Sequence, residues 1–147
     1  MDRIEKAAQS FLSGYNCAQS VAIAFADLMD MDEKAAAKIA SGFGGGFGRL
    51  REVCGAVSGM VMVASYLYGY DTPDPEKQAR CYQMIQALAG EFEKQNGSII
   101  CRDILKNPPS DPTPSPRTAE YYAQRPCARM VMAAAQILED YLNENPI

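Results

Sequence analysis

Four of the five cysteines of this chain, Cys17, Cys54, Cys101 and Cys127, each stand where the sequence starts a new helix, and each falls on that helix's apolar stripe. A thiol in the first turn of a helix lies beside backbone N–H groups without helical partners and at the positive end of the helix dipole. That setting favours the thiolate, which is both the nucleophile and the metal-binding form. No two of the four are close enough in sequence to chelate as a local motif, so a shared site requires the fold to gather them. Two chemistries then suit them. Four thiolates are the ligand set of tetrahedral zinc and of common iron–sulfur clusters, although the close CxxC pairs typical of such centres are missing here. Alternatively, pairs of the thiols cycle between dithiol and disulfide. A third reading needs no chemistry, because a free cysteine also serves as a small apolar filler. Cys81 is read that way outright: it sits inside a helix, with Met84, Ile85 and Leu88 at helical spacing.

The chain has no histidine, which removes the commonest general base and the commonest nitrogen ligand. Ahead of Cys54 runs Gly42-Phe43-Gly44-Gly45-Gly46-Phe47-Gly48, with neither a preceding strand nor a following Lys-Ser or Lys-Thr, so no nucleotide-binding fingerprint is met. Its backbone N–H groups, at Gly44, Gly45 and Gly46, could hold an anion. Arg49 and Arg51 add positive charge that would lower a neighbouring thiol's pKa, and Gly55 leaves room for close backbone approach. Phe43 and Phe47 are expected to anchor this loop in the core. The methionines Met60, Met62, Met84, Met130 and Met132 read as packing, and the carboxylates Asp27, Glu52, Asp103, Glu120 and Glu139 as solvated.

The elements that must position these groups are helical throughout, with no strict two-residue alternation. A first helix from Asp2 to Leu12 closes at Ser13-Gly14, and Asn16 caps a second that carries Cys17, Val21, Phe25 and Leu28 on one face. A third spans Glu33 to Ala40. A fourth, starting near Arg51 or Glu52, shows Cys54, Val57, Val61, Ala64 and Tyr68 inward, and a fifth, Glu76 to Lys94, turns Tyr82, Ile85, Ala89 and Phe92 inward. Ser98 caps a short helix, Ile99 to Leu105. Residues 107–116 hold five prolines and form an exposed loop. The last helix, Thr118 to Glu144, presents Ala123, Cys127, Val131, Ala134, Leu138 and Tyr141, and Pro126 either kinks it or restarts it.

A chain of 147 residues with net charge −4 suits one domain and carries no footprint for nucleic acid or anionic membrane. The stretch Met1-Asp2-Arg3-Ile4-Glu5-Lys6 is charged and no apolar run spans a bilayer. The expectation is therefore a cytoplasmic protein without membrane insertion, whose thiols are kept reduced.

Asn16-Cys17-Ala18-Gln19 and Cys54-Gly55-Ala56-Val57-Ser58-Gly59, with Cys101 and Cys127 downstream, resemble the bacterial and archaeal C_GCAxxG_C_C family, named for a CGAxxG motif and four cysteines. The resemblance covers most of the chain. It implies a redox role through Cys17, Cys54, Cys101 and Cys127, with an iron–sulfur cluster or other prosthetic group as one route. Cys81 matches no motif position. The expectation is thus an all-α, single-domain bundle of six or seven helices across residues 1–147, able to close as a homodimer. Its function would be that of an oxidoreductase or electron-transfer accessory protein with a redox partner, using thiol–disulfide exchange, zinc or an iron–sulfur centre. The competing class is a non-catalytic helical interaction module whose cysteines are core residues.

Overall fold

Among the described residues, five helices begin where a short polar side chain offers itself as a cap. In the computed structural model, which describes residues 2–147 and every side chain among them but that of Gln124, Asp2 accepts from the Glu5 N–H at 2.7 Å and starts α1, Arg3–Leu12. Met1, read above as the first residue of the charged N-terminal stretch, lies outside the described residues. Asn16 opens α2, Cys17–Ala24, with a reciprocal capping box in which Gln19 bonds back to the Asn16 N–H. Asp32 caps α3, Glu33–Ala40. Then follow α4, Gly55–Tyr68, and α5, Pro75–Asn96, which starts with Asp74 as cap and Pro75 in its first turn and ends at left-handed Gly97. Three further helices complete the chain: α6, Cys101–Leu105, α7, Ala119–Gln124, capped by Thr118, and α8, Cys127–Glu144.

The protein is all-α, and the only β pairing among the described residues is an isolated antiparallel bridge, Val53 to Ile100. Among the described residues there are eight α-helices, six of them of eight residues or more, while the sixth and seventh are shorter. The extra helix relative to expectation arises at Pro126, which cannot donate to the ladder, so the chain restarts there instead of kinking.

Helix α2 is the centre. It is apolar on nearly every side, which suits a helix wrapped by others, and it packs against α1, α3, α4 and α8. Its one buried hydroxyl, Ser20 Oγ, donates to Asn16 O at 2.8 Å. Gly59 lets α4 press close, since a Cβ there would lie 2.8 Å from Ala18 O. Phe11, Phe25 and Phe92 fill the core around this contact, each fully buried and each contributing about 2–3 kcal/mol of apolar transfer. No helix among the described residues is long and apolar enough to cross a membrane.

Several expected faces are rotated. On α5 the buried stripe is Cys81, Met84, Leu88 and Phe92, and Tyr82 is exposed. Ala123 is exposed because α7 ends before the core-facing part of α8 begins. Met132 is exposed, whereas Met60, Met84 and Met130 are buried as packing. Cys81 is core, as its neighbours suggested. Of the carboxylates, Asp27 is paired with Arg3 at 2.6 Å and Glu139 is half-buried near the same guanidinium, so neither is simply solvated.

Candidate functional site

The N-terminal ends of four helices meet at one cavity of about 60 Å³, and its walls include Cys17, Cys54, Cys101 and Cys127. Cys17 is the first residue of α2, held by the capping box, while Asn16 Nδ2 donates to Ser41 O at 3.0 Å and so ties that end to the glycine-rich loop. Cys127 is the first residue of α8, set by the break at Pro126. Cys54 and Cys101 are fixed to each other by backbone pairing: the Cys54 N–H donates to Ile99 O at 2.7 Å and the Cys101 N–H to Glu52 O at 2.6 Å, around the Val53–Ile100 bridge. This pairing moves the start of α4 from Arg51 or Glu52 to Gly55. Cys54 is therefore the residue before the helix rather than one inside its first turn.

Residues 45–51 form a tight left-handed loop. Positive φ runs through Gly45, Gly46, Phe47, Gly48 and Arg49 and recurs at Arg51, and the Arg51 and Glu52 N–H groups turn back to Gly45 O and Gly46 O. Gly46 has no alternative here, because a Cβ would stand 2.7 Å from Glu52 N and 2.8 Å from the Cys101 Cβ. The same path swings Phe47 outward, so only Phe43 packs on the core and the expected second anchor is exposed.

The loop delivers Arg51 into the protein. Only 4 % exposed, it donates from Nε to Pro109 O at 2.9 Å and from Nη1 to Cys101 Sγ at 3.6 Å. Its Nη2 is buried with no partner. Beside the cavity opens a vestibule of about 350 Å³ walled by Arg49, Arg51, Arg117 and Arg125 together with Gly44 and Gly45. Of the other sequence candidates, Gly55 lines the cavity and Gly46 lines neither space. Arg117, Arg125 and Tyr121 went unnoticed in the sequence. The available signal was Arg125 standing two residues before Cys127.

Placement at helix starts does not make all four thiols acidic, contrary to expectation. Burial pushes Cys54 up to about 12 against the opposing N–H groups of Ala56 and Val57, and burial likewise raises Cys101 in spite of Arg51. Cys17 and Cys127 behave as a pair. The Cys17 thiol is raised because it acts as hydrogen-bond donor to Cys127, with burial adding to the effect. Cys127 is lowered to about 7, first by that same hydrogen bond and then by Arg125, Arg117 and Arg51, against burial. The two thiols line one cavity, and the shifts favour the thiolate on Cys127 and the proton on Cys17. The dipole contribution at a helix end is at most about 2 kcal/mol, too small to offset deep burial unless a donor or cation assists.

All four thiols are free in this structure. Their donor chemistry suits a soft metal, but among the described residues no three Cys, Asp or Glu side chains are arranged to hold an ion.

A family model described as "Putative redox-active protein (C_GCAxxG_C_C)" matches residues 15–141. No curated protein and no solved structure matches the chain.

Proposed function

The chain belongs to the C_GCAxxG_C_C redox-active family, and from that membership we propose that it carries out thiol–disulfide exchange with Cys127 as nucleophile and Cys17 as the resolving thiol. The supporting observation is that Cys17 and Cys127, the first residues of α2 and α8, line one cavity; the lowering of Cys127 to about 7 and the raising of Cys17 favour Cys127 as the attacking thiolate and Cys17 as the thiol that keeps its proton. In the forward direction the Cys127 thiolate attacks one sulfur of a substrate disulfide, forming a mixed disulfide and expelling one substrate thiolate. Cys17 then gives up its proton to that leaving group and attacks the Cys127 sulfur, releasing the second substrate thiolate, which takes a proton from water. Two protein thiols are oxidised by two electrons and one disulfide is reduced to two thiols.

The test is incubation with excess bis(2-hydroxyethyl) disulfide, followed by peptide mapping. Wild-type protein is expected to release two thiols per chain and yield a Cys17–Cys127 cross-link, whereas Cys17→Ser stops at one thiol and a mixed disulfide on Cys127. Formation of a different cross-link, or of none, overturns the assignment.

A second reading rests on all four cysteines lining one cavity: although no three side chains among the described residues stand arranged to hold an ion, Cys17, Cys54, Cys101 and Cys127 drawn closer together would hold zinc or an iron–sulfur centre, which would supply Lewis acidity or one-electron transfer. Anaerobic purification with elemental analysis and a visible spectrum decides between the two. Stoichiometric metal that is lost in Cys54→Ala replaces the exchange reading.

A further inference from the structure

The guanidinium of Arg51 is an expensive feature. It is 4 % exposed, has one polar atom with no partner, and sits on backbone in the left-handed region that disfavours non-glycine residues. Its two bonds, to a carbonyl and to a thiol, leave its positive charge uncompensated by any carboxylate. Arg51 lines both the four-cysteine cavity and the vestibule outside it, and Arg117 and Arg125 do the same. Arg49 completes the vestibule wall, its own backbone also left-handed. Among the described residues no Asp or Glu lines either space; the only ion pair at the rim is Arg49 with Asp111, at 3.7 Å and outside the wall. Four of the fourteen cationic side chains of a chain with net charge −4 therefore converge on one opening. Cationic walls at a low-dielectric opening concentrate anions and repel cations.

Part of this cationic capacity is already committed. Arg117 donates to Phe11 O at 2.9 Å and Tyr15 O at 3.0 Å and stacks on Phe11, 4.4 Å from ring centre to guanidinium carbon. Arg49 donates to Asp111 O at 2.9 Å. The partners of Arg117, carbonyl oxygens and ring faces, are neutral and leave its charge uncancelled, whereas the charge of Arg49 is partly offset by the Asp111 carboxylate at 3.7 Å. Arg51 Nη2 is a buried donor still without a partner, and Arg51 lines both spaces.

We propose that the vestibule is an anion-binding subsite that selects, for the cysteine pair, small disulfides or thiols bearing a carboxylate, sulfonate or phosphate group. The anionic group seats against Arg49 and Arg51 with Arg51 Nη2 as its buried donor, and the sulfur is directed inward to Cys127. This rests on the exchange chemistry proposed above for its substrate class, but the anion site can be read separately.

The experiment uses three aliphatic disulfides of different charge: 3,3′-dithiodipropionate, a dianion; bis(2-hydroxyethyl) disulfide, neutral; and cystamine, a dication. Each rate with the protein is divided by its rate with 2-mercaptoethanol. The normalised order is expected to be dianion over neutral over dication, with a dianion-to-neutral ratio of roughly tenfold at low salt that shrinks at high ionic strength. That ratio falls several-fold in Arg49→Met and Arg51→Met but not in Arg80→Met, which removes an exposed arginine on α5. Arg49→Met carries the test if loss of the Arg51 bond to Pro109 prevents folding. A charge order that is absent, or one that survives both substitutions, overturns the subsite. If none of the three disulfides reacts, the exchange reading fails, and calorimetric titration with inorganic phosphate decides the subsite alone. Saturable binding in wild type that is weakened in Arg49→Met supports it, and the absence of binding overturns it.

Discussion

Arg51 Nη1 lies 3.6 Å from Cys101 Sγ, yet Cys101 holds its proton above the ordinary thiol value, because burial outweighs the cation beside it. Removing the arginine should push Cys101 further up and leave it slower still. In Arg51→Met, labelling of Cys101 by iodoacetamide at pH 9 is expected to fall below wild type. A rise would mean that the guanidinium shields the sulfur more than it acidifies it.

Cys127 should be the fastest of the five thiols at neutral pH. With its pKa near 7 against an ordinary 9.0, its thiolate share at pH 7 is about half instead of roughly 1 %. The lower basicity costs about eightfold in intrinsic nucleophilicity, so the net advantage is about sixfold. Peptide-resolved rates with a neutral disulfide, followed from pH 5 to 9, are expected to give a midpoint near 7 for Cys127. A midpoint near 9 would refute the pairing.

The same midpoint tests the donor. Cys17→Ala removes the hydrogen bond that is the largest cause of the lowered Cys127 value, so the midpoint should climb from about 7 towards 9.0. Cys17→Ser keeps a hydroxyl donor and should recover much of the shift. Equal midpoints in the two variants would assign the effect to Arg125, Arg117 and Arg51 instead.

Cys54 predicts alkaline sensitivity. An unfolded thiol loses its proton near 9.0, whereas folded Cys54 holds it to about 12, so between those values the folded state carries the extra proton and stability falls as pH rises. The slope from this group is about 1.4 kcal/mol per pH unit. Cys17 and Cys101, also raised, act in the same direction. Urea midpoints measured from pH 8.5 to 10.5 should decline in wild type and less steeply in Cys54→Ala.

What the sequence disclosed depended on the range of the interactions involved. Asn16 and Gln19 cap α2 within a single turn, so the position of Cys17 was readable from four adjacent residues. The α3 bounds and the restart at Pro126 were equally local. The start of α4 was misplaced because residues 51–54 are claimed by pairing with residues 99–102, a partner nearly fifty positions away. Arg117 and Arg125 reach the site from beyond the proline-rich loop, announced only by the place of Arg125 two residues before Cys127. Depth was the other hidden variable: helix position suggested acidic thiols, and burial reversed that for Cys54 and Cys101, while Cys17 is raised first by its hydrogen bond to Cys127 and then by burial.

The left-handed loop before Cys54 offers a comparison in which conformation and space can be separated. Gly46 and Gly48 both have positive φ, 70° and 54°, so a Cβ at either costs about 1–2 kcal/mol for the backbone alone. At Gly48 the added methyl meets nothing within 4 Å. At Gly46 it would strike Glu52 N at 2.7 Å, Arg51 Cα at 2.8 Å and Cys101 Cβ at 2.8 Å. Two of those are backbone atoms that cannot rotate away, so relief must come from shifting the Val53–Ile100 pairing that seats Cys54 against Cys101. Gly48→Ala should therefore lose only the conformational cost and keep the Cys127 reactivity profile. Gly46→Ala should lose at least about 2 kcal/mol more and displace Cys101 and Arg51 together. Urea unfolding of the two variants, with Cys101 labelling as the second readout, is expected to separate them. Equal destabilisation would mean the loop yields freely and does not define the cavity wall.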